Sequence, residues 1–147
     1  MSHVAARFVI VLAVTLLIAN QAVALVTTQS VTPASVKEDG SRFSVKAEKG
    51  KDGLIEFTIE YRLPAPGYLV AHFELRDGAA TLARTDTPSF VREQSVTYHV
   101  AVSPAQLAHS TFELSENSFG ESGGHPVPLP GGTIYQIKLD AFGKDVR

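Results

Sequence analysis

From Phe43 onward, apolar and polar residues alternate with a period of two, the pattern of strands that bury one face. Phe43, Val45 and Ala47 alternate with Ser44, Lys46 and Glu48, and Ile55, Phe57, Ile59, Tyr61 and Leu63 with Glu56, Thr58, Glu60 and Arg62. Gly50, Asp52 and Gly53 stand between these runs as turn residues, which predicts a hairpin. After Pro64, Pro66 and Gly67, a strand is predicted with Leu69, Ala71, Phe73 and Leu75 inward and Val70, His72, Glu74 and Arg76 outward; Asp77-Gly78 ends it. Further strands are expected at Thr81 to Thr85, at Val96 to Val102, around Phe112 and Leu114, and at Tyr135 to Leu139. Ser103-Pro104-Ala105-Gln106 is the one helical start, with Ser at the cap and Pro at the first helical position, good for a turn or two to about His109. Ser115 to Gly132, with five glycines and three prolines, is expected as a long irregular loop. The fold class expected is all-β: a single antiparallel β-sandwich of about seven to eight strands.

The run Leu129-Pro130-Gly131-Gly132-Thr133-Ile134-Tyr135-Gln136-Ile137-Lys138-Leu139-Asp140-Ala141 is similar to the sixth strand of fibronectin type III domains, of immunoglobulin-like architecture. The resemblance covers about 13 residues and implies a tyrosine corner, in which the Tyr135 hydroxyl returns to the backbone. A seventh strand should follow in that family, yet only Phe142 to Arg147 remain. The run is therefore expected to be the final strand of a differently connected sandwich, the alternative being a domain whose edge a partner strand fills.

The N-terminus has another pattern. Arg7 precedes an apolar run from Phe8 to Ala19, and Ala22-Val23-Ala24 is a small-x-small site, which together predict a signal peptide over residues 1–24 and a mature domain over 25–147. A spanning helix needs about 20 apolar residues, more than this run supplies before Asn20 and Gln21. No cysteine near Ala24 offers a lipid attachment site. The expected product is secreted, periplasmic or in the cell envelope, with no stable membrane span after cleavage.

Composition narrows the function. The mature region holds 12 basic against 15 acidic side chains. Its one basic group, Lys46, Lys49 and Lys51, is interrupted by Glu48 and Asp52, so nothing favours nucleic acid. The chain lacks cysteine, which excludes disulfides and thiolate chemistry, and its only Met is Met1.

Gly120-Glu121-Ser122-Gly123-Gly124 fits Gly-x-Ser-x-Gly and resembles the nucleophile elbow of α/β-hydrolases and the region around the serine of chymotrypsin-like proteases. The elbow needs a helix after the serine, and His125-Pro126-Val127-Pro128 forbids one. Hydrolase order fails as well, since His125 precedes Asp140, and the protease analogy would require His72 with Asp77 or Asp86. Ser122 is therefore expected to be a loop serine, with a small secreted serine hydrolase as the alternative. His72, His99, His109 and His125 show no metal-ligand spacing; His72 and His99 fall on predicted polar faces where they could meet across a sheet. Glu38-Asp39 and Asp52 lie beside glycines without a calcium loop. Tyr68, Phe90 and Phe119 are the aromatics outside the core stripes, and Phe119 would either contact a ligand or plug one end of the sandwich. No catalytic, cofactor or metal residue is assigned. The reading is a non-enzymatic binding, adhesion or structural module for a protein or carbohydrate partner, with Ser115 to Gly132 as the expected contact surface.

Overall fold

A computed structural model describes residues 24–38, 42–77 and 80–146; residues 1–23 of the expected signal peptide lie outside the described residues. Among the described residues ten strands form: β1 (Val26–Val31), β2 (Phe43–Lys49), β3 (Ile55–Arg62), β4 (Gly67–Asp77), β5 (Ala80–Val91), β6 (Ser95–Val102), β7 (Ser110–Asn117), β8 (Phe119–Ser122), β9 (His125–Pro128) and β10 (Gly132–Lys138). Five make one sheet in the order β1-β10-β7-β4-β5, three make a second, β2-β3-β6, and β8 pairs only with β9. No helix among the described residues is long and apolar enough to cross a membrane.

The apolar stripes of the two larger sheets face each other and share one core. Ile55, Phe57, Ile59 and Tyr61 from β3 are fully buried, as are Leu69 from β4, Leu114 from β7 and Ile137 from β10. Aromatic contacts join the layers: Tyr98 meets Phe112 with centroids 5.3 Å apart, and Phe43 meets Tyr135 edge-on at 5.1 Å. At that end the Tyr61 hydroxyl donates to Glu116 Oε2, and Arg42 donates to the Tyr135 hydroxyl at 3.0 Å. Burial raises the carboxyl pKa of Glu116, and nearby Arg42 partly offsets this.

The β2–β3 hairpin forms as expected, with Phe43 opposite Tyr61 and Asp52 left-handed in the turn. Four features differ from the sequence expectation. First, β1 runs parallel to β10, from Val26↔Gly132 to Val31↔Ile137, so the five-stranded sheet is mixed and β10 has a neighbour on both sides. Its residues Val26 to Ser30 are all exposed, so no core contact imposes alternation on them. Second, a helix α1 (Pro33–Glu38) follows β1, capped reciprocally: Ser35 N–H donates to Thr32 Oγ1 at 3.1 Å and Thr32 N–H to Ser35 Oγ at 2.8 Å. Third, Ser115 to Gly132 is not irregular; β7 runs to Asn117, and the β8–β9 hairpin turns at Gly123 and Gly124, both with positive φ. Fourth, a helix α2 (Asp140–Gly143) follows β10, and Gly143 packs so near the Phe57 ring that a Cβ would lie 2.6 Å from it. The Ser103 start gives a turn and a 3-10 segment, Leu107–His109, with Gln106 Oε1 accepting from the Ser103 hydroxyl at 3.0 Å.

Candidate functional site

Strand pairing carries one polar row across the outer face of the five-stranded sheet. In register, Ser30 of β1 stands opposite Gln136 of β10, Gln136 opposite Glu113 of β7, and Glu113 opposite His72 of β4. Directly opposed residues on one face lie close enough for their side chains to interact. Gln136 Nε2 donates to Glu113 Oε2 at 3.0 Å.

Glu74 is two residues beyond His72 on the same face of β4. Its Oε1 accepts from Thr81 Oγ1 at 2.7 Å and pairs with Arg76 Nε at 3.0 Å. A register shift in the β4–β5 ladder, between Leu75 and Arg76, sets Thr81 opposite Arg76 and so brings it to this face. The Arg76 hydrogen bond, then that from Thr81, holds the Glu74 carboxyl below its ordinary value, and Glu74 raises the Arg76 guanidinium in return.

The imidazole of His72 and the carboxylates of Glu74 and Glu113 each place a ligand atom within 4.8 Å of the others. His72 and Glu74 are only 8% exposed and Glu113 is half-buried, although all three lie on the side of the sheet away from the core. Beside them opens a cleft of about 380 Å3, lined by Thr32, Glu74, Arg76, Glu113, Gln136 and Lys138 among others. A second, smaller cavity of about 80 Å3 lies by Arg42, Phe43 and Tyr135 at the aromatic end of the core.

The residues singled out in the sequence are distributed unevenly. His72 and His99 do not meet: His72 is on the outer face of one sheet, whereas His99 is exposed on β6 of the other, its Nδ1 3.4 Å from Thr58 Oγ1. His109 and His125 are exposed on separate elements. Ser122 is exposed at the end of β8, opposite His125 across the Gly123-Gly124 turn, and a strand rather than a helix follows it. Positions 77 and 86 belong to β4 and β5, Asp52 is exposed in its turn, and Asp39 lies outside the described residues. The three aromatics come together: Tyr68 stands opposite Phe90 in register, and Phe90 meets Phe119 edge-on at 4.6 Å, with the Arg92 guanidinium 5.3 Å from the Phe90 ring centre. Phe119 thus caps an outer-face aromatic of β5, not the core end.

Sequence reasoning missed Glu74 and Glu113 as companions of His72. His72-x-Glu74 on a strand already places both on one face, a signal present in the chain; Glu113 required the β4–β7 register. Comparison with protein-family models, curated proteins and solved structures finds no match to this chain.

Proposed function

We propose that the chain is an exported, non-enzymatic β-sandwich module of immunoglobulin or fibronectin type III kind, which binds a hydroxyl-rich ligand of carbohydrate type on the outer face of its five-stranded sheet. The carrying observation is the burial of His72 and Glu74 on a face that strand alternation assigns to solvent. Burying such groups is costly unless they are paired, and the pairing of Glu74 with Arg76 and Thr81 holds an ordered polar surface beside the cleft. The cleft combines carboxylate, guanidinium, ammonium, amide and hydroxyl groups, which can donate to and accept from sugar hydroxyls, while Phe90 and Phe119 offer apolar contact elsewhere on this side of the sheet. The alternating run Leu129 to Ala141, which forms β10 with Tyr135 buried, supports the sandwich subtype, although the Tyr135 hydroxyl bonds the Arg42 side chain where a tyrosine corner would bond backbone. The pairing of β10 on both sides supports a self-contained fold over one completed by a partner strand. The N-terminal apolar pattern and the lack of cysteine support export as a packing-stabilised domain.

Titration of the isotope-labelled protein with neutral oligosaccharides, followed by amide chemical shifts, tests the reading. Shifts should cluster on β4, β7 and β10 around His72, Glu113 and Gln136, and vanish in Glu113→Leu. Shifts confined to the β8–β9 hairpin, or none with any saccharide, would sink it.

A further inference from the structure

The geometry points to a divalent transition-metal site, of zinc type, formed by His72, Glu74 and Glu113 at the side of the outer-face cleft. The donor set is one imidazole nitrogen and two carboxylates without sulfur, which suits a first-row ion such as Zn2+; Ca2+ and Mg2+ take oxygen shells. Nitrogen and oxygen ligands about 2.0–2.2 Å from zinc sit up to about 4 Å from one another. Three donor atoms already within 4.8 Å of each other need only small side-chain adjustments to reach that spacing.

The surroundings hold the carboxylates as a ligand site requires. Thr81 and Arg76 both engage Oε1 of Glu74, and Gln136 engages Oε2 of Glu113. These hydrogen bonds orient both carboxylates, the arrangement that outer hydrogen bonds give to metal ligands. His72 and Glu74 come from an inner strand paired on both sides, and Glu113 from the strand beside it, so the donors sit on a rigid ladder. Three protein ligands leave the remaining coordination positions to water or to a donor atom of a molecule in the cleft. The site deepens the outer-face reading and rests on it only for what reaches the open position.

The probe is the metal alone. The purified chain, stripped with chelator and checked for folding by circular dichroism, is dialysed against Zn2+ and its metal content measured; Co2+ is then added to record its visible absorption. One equivalent of zinc per chain is expected, with a Co2+ spectrum typical of nitrogen and oxygen ligands. Glu113→Gln, at a half-buried position that keeps its volume, should weaken binding by about tenfold or more. His72→Asn should remove the Co2+ bands, and His99→Asn and His125→Asn should leave both signals as in the parent. Absence of zinc from the folded parent, preference for Ca2+, or loss of metal in the His99 or His125 variants with retention in Glu113→Gln would overturn the site. Zinc stoichiometry and saccharide-induced shifts are separate readouts, so either proposal can fail without the other.

Discussion

The two main sheets have similar inner faces and dissimilar outer ones. Two inner strands, β3 of one sheet and β4 of the other, turn apolar residues inward, and Ile59 and Leu69 are both fully buried. On the far side of β3, Glu56 and Arg62 are exposed and Thr58 and Glu60 half-buried, the ordinary solvated face of an antiparallel sheet. On the far side of β4, His72 and Glu74 are buried, flanked by long strands on both sides, with Gln136 reaching across to Glu113. Identical alternation in the sequence thus yields a passive surface in one layer and a concentrated polar site in the other. What separates them is the width of the sheet and the side chains that register sets beside each strand.

Mutations can break this comparison in order of size. Ile59→Ala and Leu69→Ala should each cost about 3 kcal/mol in urea unfolding, because both delete fully buried aliphatic groups. Very different losses would mean that the inner faces are not equivalent. The outer faces should then separate: His72→Ala is expected to cost about 1–3 kcal/mol by leaving buried neighbours without their partner, while the exposed His99→Ala should stay within about 0.5 kcal/mol. Equal costs would erase the distinction. Within the core, the Tyr98 hydroxyl is buried without a hydrogen-bond partner among the described residues. Tyr98→Phe should therefore be neutral or stabilise by up to about 1 kcal/mol, whereas Tyr61→Phe, which removes the donor to Glu116, should destabilise.

How much of this was legible depended on which faces meet the core. The strands β2, β3, β4, β6, β7 and β10 could be read because burial of one face enforces a period of two. Strand β1 could not: Val26 to Ser30 touch no core, so nothing constrains their order. Helix α1 was readable in principle, because Thr32-Pro33-Ala34-Ser35 has the same grammar as Ser103-Pro104-Ala105-Gln106, with serine in place of the usual Glu or Gln. Gly123-Gly124 likewise signals a hairpin, but Pro126 and Pro128 masked the returning strand, which tolerates them because it pairs on one side only. At the site, His72 and Glu74 share a face by parity alone. Glu113, Gln136 and Thr81 reach them only through non-local register and a bulge, which periodicity does not encode.

The smallest effect is a difference in sign between two carboxylates of the five-stranded sheet. Glu74, facing Arg76, Thr81, His72 and Glu113, has its pKa lowered, first by the Arg76 hydrogen bond. Its ionised form is favoured by folding, so its contribution is present above the ordinary value of 4.5 and is lost as pH falls through the lower folded value. Glu116, beside Arg42, Tyr61 and Tyr135, has its pKa raised by burial. Folding favours its protonated form, so stability declines as pH climbs from 4.5 through the raised value and stays lower beyond it. Urea unfolding of Glu74→Gln and Glu116→Gln between about pH 3 and 7, the range in which carboxylates titrate, separates the two. Relative to the parent, Glu74→Gln should lose stability toward pH 7, while Glu116→Gln should gain it, since the amide oxygen can still accept from Tyr61 without carrying charge. Parallel pH profiles for the two variants would show that the outer face and the inter-sheet end treat a carboxylate alike, and the contrast between them would have to rest on packing alone.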